Sequence, residues 1–78
     1  MFVFMLQQDE QKIIKQFGRR IRTLRKERGW SISDLSHEGE LDAGYLGKVE
    51  RGKVNPGLIY ITALARAFEM EIWDLLKY

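Results

Sequence analysis

The chain has 78 residues, which admits one hydrophobic core and excludes a second domain or a long linker. With 45% hydrophobic and 31% charged residues and one proline it lies in the globular range, and the absence of cysteine excludes disulfides, thiolate metal sites and cysteine nucleophiles. The net charge is only +2, yet between Lys12 and Arg28 eight Lys/Arg stand against the single Glu27, so positive charge is concentrated in one segment.

Met1 to Leu6 is the one uninterrupted apolar run. It is too short to span a bilayer and no positive charge precedes it, so the protein is expected to be soluble and cytoplasmic, with no membrane partner. Residues 1–8 read as an N-terminal apolar extension. Three roles stay open for it: packing on the core, pairing as a strand with a partner chain, or lying upstream of a start at Met5. Residues 9–78 read as the domain proper.

From Asp9 to Arg28, Ile13, Ile14, Phe17, Ile21 and Leu24 recur at three- and four-residue steps, one stripe of an amphipathic helix that Gly29 stops. Ser31 and Asp34 have capping-box spacing, and Trp30 with Leu35 forms a hydrophobic staple. A second, short helix therefore starts here and ends near Glu38 or Gly39. Asp42 caps a third helix in the same way, flanked by Leu41 and Leu46, which runs over about 42–51 to Gly52. Asn55 as cap and Pro56 at the first helical position open a fourth, with Leu58, Ile61, Leu64, Ala65 and Phe68 inward. A last short helix holds Ile72, Trp73, Leu75 and Leu76. The fold class is all-α, five helices joined by short turns.

Catalytic chemistry has few carriers here. The one histidine, His37, stands at a helix end, and Glu69, Glu71 and Asp74 stand at the start of a short helix, where acidic residues complement the dipole. No metal site, cofactor, catalytic residue or small-molecule ligand is expected, and the chain is not expected to be an enzyme.

Two short capped helices joined by a tight turn, the second ending in a basic segment, have the layout of a helix-turn-helix. The runs Trp30-Ser-Ile-Ser-Asp-Leu-Ser36 and Leu41-Asp-Ala-Gly-Tyr-Leu-Gly-Lys-Val-Glu-Arg-Gly-Lys-Val-Asn-Pro56 resemble the Cro and lambda-repressor type helix-turn-helix domain, the XRE family of bacterial and phage regulators. The match extends from about Ile13 to Leu76, and its most specific piece is Tyr45 to Gly52 with Asn55-Pro56. The resemblance implies a five-helix lambda-repressor-like fold and a transcriptional regulator that binds double-stranded DNA with its third helix in the major groove. It also implies a structural salt bridge between Arg25 and Glu50, and Ser36 as the small residue over which the third helix crosses. Phosphate contacts would come from Ser31, Arg51, Lys53 and Asn55, and Ala43, Gly44, Gly47 and Lys48 would face base edges.

Of the last four only Lys48 carries a hydrogen-bonding side chain, suited to guanine O6 and N7, while the two glycines let the helix approach the groove floor. Ile32 replaces the glutamine common at the start of the second helix. Glu40 takes the turn position where glycine is preferred, so strain or a rebuilt turn is expected there. This sparse equipment keeps open an alternative, a helix-turn-helix used mainly for protein–protein interaction. Tyr45 has two readings, an edge packing residue or a phosphate contact through its hydroxyl. Most of the basic run on the first helix reads as solvated surface that attracts DNA at long range. Trp30 and Trp73 read as core.

A single module reaches one half-site, so a homodimer on a pseudopalindromic operator is expected, with half-sites about 34 to 36 Å apart. The expected dimer interface is Tyr60, Phe68, Ile72, Trp73, Leu76 and Tyr78. The cytoplasmic pool would be nucleoid-associated.

Overall fold

The computed structural model describes the backbone of residues 2–78 and the side chains of residues 9–78. Five helices follow one another: α1 (Phe2–Glu27), α2 (Ile32–Gly39), α3 (Ala43–Glu50), α4 (Leu58–Ala67) and α5 (Ile72–Leu75). Among the described residues there is no strand, and no helix is long and apolar enough to cross a membrane.

α1 starts at Phe2 rather than Asp9. No proline or glycine interrupts Phe2 to Asp9, and once a helix is nucleated each added residue extends it favourably. The backbone of Phe2 to Leu6 is helical, which sets aside the strand-pairing reading. Met1, and the side chains expected to form the extension over 1–8, lie outside the described residues.

The core is drawn from every helix. Phe17, Ile21 and Leu24 of α1 meet Leu35 of α2, Leu46 and Val49 of α3, Leu64, Ala65 and Phe68 at the end of α4, and Leu75 of α5. α1 contacts α3, α2 contacts both α3 and α4, and α4 carries α5. Arg20 ties α5 back to α1, donating from Nε to the Leu75 carbonyl at 3.2 Å and from Nη2 to that of Asp74 at 2.9 Å.

Four helices end in one hydrogen-bond pattern, in which a left-handed residue lets the chain reverse and its successor bonds back five residues. At the end of α1, Gly29 (φ 71°) takes that place and the Trp30 amide donates to the Arg25 carbonyl. At the end of α3, Gly52 (φ 69°) does so and the Lys53 amide donates to Lys48. α2 and α4 use glutamates instead: Glu40 at φ 53° before Leu41→Ser36, and Glu69 at φ 57° before Met70→Ala65. The helix-turn-helix turn is therefore not rebuilt around Glu40. It keeps the left-handed geometry and accepts the strain, roughly 1–2 kcal/mol for a residue with a Cβ. Glu40→Gly is accordingly expected to stabilise the protein by about 1 kcal/mol, read as a higher urea midpoint at unchanged m value. An unchanged or lower midpoint would show that Glu40 is not strained.

Two N-terminal caps match their local signals. The Ser31 hydroxyl accepts from the Asp34 amide at 3.0 Å while Asp34 Oδ2 accepts from the Ser31 amide at 2.8 Å. That hydrogen bond from the Ser31 backbone holds the Asp34 carboxyl below its ordinary range. Asp42 accepts from the Tyr45 amide at 2.8 Å.

α4 departs from expectation. It begins at Leu58 with Gly57 as cap and no capping side chain, not at Asn55-Pro56. Pro56 is buried in an apolar recess with Ile14, Phe17 and Ile61, so its ring serves packing and the chain remains extended for another residue. Leu58, expected inward, is exposed, and Ile59 beside it is 83% exposed. Ile13 lies on the exposed rim of the α1 stripe. Trp73, expected in the core, is 65% exposed, because the four residues of α5 turn only Leu75 fully inward.

Candidate nucleic-acid interface

The angle of α3 is set by its contact with α1, which is a backbone contact. A Cβ on Gly18 would lie 2.4 Å from the Val49 carbonyl oxygen and 2.6 Å from that of Glu50. Beside this crossing, Arg25 donates from Nε to Glu50 Oε2 at 2.8 Å and from Nη2 to Oε1 at 3.0 Å. Its remaining nitrogen, Nη1, donates to the Trp30 carbonyl at 2.8 Å. Both residues are 8% exposed, and the hydrogen bonds to Glu50 raise the Arg25 pKa. One guanidinium therefore joins α1, the end of α3 and the segment leading into α2, through a two-point contact that fixes orientation as well as distance.

On that frame α3 turns Ala43, Gly44 and Lys48 to solvent. Gly47 is half-buried, and what covers it is Arg51: a Cβ there would meet Arg51 Nη1 at 3.1 Å. The Arg51 side chain thus folds back over α3 toward α1. Together with Arg22 and Lys26 of α1 and Ile32 at the start of α2, it lines a cleft floored by the Arg25–Glu50 pair. Arg22 and Lys26 went unsingled in the sequence because they sit within a uniform basic run, in which Lys15 and Arg19 have the same four-residue spacing.

Ser31 and Lys53 are exposed. Asn55 is exposed too, but it borders the apolar recess beside Ile13, Leu76 and Tyr78, so it is not gathered with Arg51. Tyr45 is half-buried and packs edge-on against Tyr60 of α4, ring centroids 5.0 Å apart, so its ring braces α3 on α4.

The residues expected at a dimer interface divide. Phe68 is 2% exposed and belongs to the core, stacked on Trp30 with ring centroids 5.9 Å apart and covered by Arg28, whose guanidinium lies 4.8 Å from its ring centre. It offers no surface to a partner, and that assignment is corrected. Trp73, Leu76 and Tyr78 are exposed and Ile72 is half-buried. Tyr60 is also half-buried, and its hydroxyl is buried without a hydrogen-bond partner among the described residues.

Burial pushes the Tyr60 phenol up to about 12. Its folded-state pKa thus exceeds the ordinary value, so the stabilising neutral form is fully present below about pH 10 and is lost as pH rises through about 12. Tyr60→Phe removes an orphaned hydroxyl and is expected to stabilise the fold by about 1 kcal/mol at pH 7. It should also flatten the fall in stability between pH 10 and 12. Thermal melts across that range check both, and a destabilised variant would mean that the hydroxyl is satisfied in solution.

A helix-turn-helix family model matches residues 21–72. The chain is similar to the HTH-type transcriptional regulator DdrOP3 of Deinococcus deserti, 36% identical over 58 residues, covering 74% of this chain and 45% of that protein. It is similar also to the HTH-type transcriptional regulator SlrR of Bacillus subtilis, 37% identical over 59 residues, covering 74% and 39%. It spans less than half the length of either regulator. Among solved structures it superposes on the restriction-modification controller protein C.AhdI from Aeromonas hydrophila with TM-score 0.75 and 41% identity, over 82% of this chain and 96% of that one. It also superposes on SinR, the master regulator for biofilm formation, solved in complex with DNA, with TM-score 0.72 and 29% identity over 78% and 98%. From Ile21 in α1 to Ile72 at the head of α5, sequence and architecture agree, and the chain belongs to the helix-turn-helix family of XRE type, with its lambda-repressor-like five-helix fold.

Proposed function

We propose that this protein is a transcriptional regulator that binds double-stranded DNA as a homodimer, without catalysis, metal, cofactor or small-molecule ligand. The carrying observation is the solvent-facing side of α3, Ala43, Gly44 and Lys48, held at a fixed angle by the Gly18 crossing and the Arg25–Glu50 pair, with Arg51 and Lys53 at its end. The SinR structure, a relative in fold bound to DNA, supports the same reading.

In this reading α3 enters the major groove. Lys48 donates to a guanine edge and the Ala43 methyl meets a thymine methyl. The Ser31 region at the α2 N-terminus, Arg51 and Lys53 contact phosphates. Tyr45 supports α3 through Tyr60 and keeps its hydroxyl for a phosphate, while Asn55 contributes only at the edge of the footprint. Two copies meet through Trp73, Leu76 and Tyr78 with Ile72 and Tyr60 beside them, and bind a pseudopalindromic operator in the cytoplasm. Because Lys48 is the one base-facing donor on α3, much of the specificity comes from sequence-dependent DNA shape.

The test is fluorescence anisotropy on a duplex selected from a random library, beside a scrambled duplex, over a salt series. Preferential binding with a steep salt dependence is the expected result. Lys48→Ala should cost about 1–3 kcal/mol on the selected duplex and little on the scrambled one. Absence of binding to any duplex at low salt would refute DNA binding and favour a protein-binding module.

A further inference from the structure

We infer that Arg22 and Lys26 of α1, with Arg51 at the C-terminal end of α3, form a three-cation seat for the phosphodiester backbone of the bound duplex, so that the DNA footprint extends from the helix-turn-helix onto α1. The inference rests on the DNA-binding reading above and assigns to it a site made of residues outside the motif. Arg22 and Lys26 are four residues apart, hence neighbours on one face of α1, and like charges at that spacing repel. Arg51, at the end of α3, brings a third positive charge to the same cleft. The one carboxylate in the cleft, Glu50, is already engaged by two nitrogens of Arg25, and the third Arg25 nitrogen is engaged by the Trp30 carbonyl. Among the described residues Arg25–Glu50 is the ion pair, so the three remaining cations converge without an acidic partner. That arrangement is unfavourable in the free protein and is relieved by an anion.

Gly47 has a specific part in this seat. The guanidinium of Arg51 lies over Gly47, with Nη1 3.1 Å from where an added Cβ would stand. The bare backbone at Gly47 lets the guanidinium lie directly against α3, and a Cβ there would shift its tip by a few tenths of an ångström. The cleft also opens at Ile32, the first residue of α2, beside the backbone that Ser31 and Asp34 cap. A phosphate seated there meets cations from two helices at the edge of the α3 face, which is where a strand flanking the major groove would pass.

The experiment compares Arg22→Gln/Lys26→Gln with Lys12→Gln/Arg66→Gln, a pair of equal charge change on exposed positions outside the cleft. Binding is read by anisotropy on the selected and the scrambled duplex over the salt series, and folding by thermal melting. The expected result is a salt slope smaller by about one for each cleft cation that neutralises a phosphate, with affinity at least tenfold lower on both duplexes. The melting temperature should be unchanged or higher, because repulsion is removed. The control pair should lose far less. Equal losses from the two pairs would overturn the inference, reducing Arg22 and Lys26 to long-range attraction while leaving DNA binding intact. Failure of the wild-type chain to bind either duplex would overturn the inference together with the reading beneath it.

Discussion

Gly18→Ala is expected to lower the unfolding free energy by roughly 2 kcal/mol, although helix propensity alone predicts a gain of about 1 kcal/mol from replacing a mid-helix glycine. The opposite signs make the substitution informative. An alanine methyl at this position would sit 2.4 and 2.6 Å from the backbone carbonyl oxygens of Val49 and Glu50. Neither atom belongs to a side chain that can rotate away, so α1 and α3 must separate, and overpacking of this kind typically costs about 1–3 kcal/mol, occasionally more. Separation would also lengthen the Arg25–Glu50 contact next to it. Urea unfolding followed by far-ultraviolet circular dichroism measures the change. A Gly18→Ala protein more stable than the parent would mean that the helices do not cross at their backbones.

Arg25→Ala should have a still larger effect, about 3–5 kcal/mol, since it leaves the buried Glu50 carboxylate without its bidentate partner and the Trp30 carbonyl without a donor. Total stability for 78 residues is of order 4–12 kcal/mol, so the variant would approach marginal folding at room temperature. A double replacement, Arg25→Met with Glu50→Leu, removes both charges and should recover much of that loss, because the desolvation cost of the pair disappears with the pair. The recovered fold should nonetheless bind DNA less well, as α3 loses the fork that sets its orientation. Thermal melts of the single and double variants decide between these roles. A single variant with a normal melting temperature would show the pair to be energetically idle.

The parts of this molecule legible in the sequence are those determined within a few residues. Ser31 with Asp34, Asp42 before Tyr45, and the glycines at 29 and 52 announce helix ends because caps are satisfied locally. Others depend on partners far along the chain. Gly18 reads in isolation as a flaw in a helix, and its reason lies at Val49 and Glu50. Glu40 and Glu69 adopt left-handed geometry against their own preference, which packing of the flanking helices imposes. Asn55-Pro56 carries a strong helix-start signal, but the proline is drawn into the recess formed by α1 and α4, and the start moves to Leu58.

The candidate site divides along the same line. α3 follows directly from its cap and its Leu46 and Val49 contacts, so Ala43, Gly44 and Lys48 face outward as their register on the helix requires. Arg51 lying back over Gly47, and its meeting with Arg22 and Lys26, required the tertiary crossing of α1 and α3. Phe68 stays inward as its place on α4 predicts and is lost to a dimer interface, while Trp73 lies at the surface instead of in the core, for a related reason. Phe68 continues the buried side of α4 beneath Trp30 and Arg28, while α5 is too short to bury more than Leu75 in full.

The most direct test of DNA recognition through α3 is amide chemical-shift mapping of the uniformly nitrogen-15-labelled protein titrated with the selected duplex at low salt. The largest changes are expected at Ile32 to Asp34, along Ala43 to Lys48 and at Arg51 to Lys53, with Arg22 and Lys26 also moving. Changes confined to Leu58, Ile59 and Ile72 to Tyr78, with the amides of α3 unmoved, would contradict it.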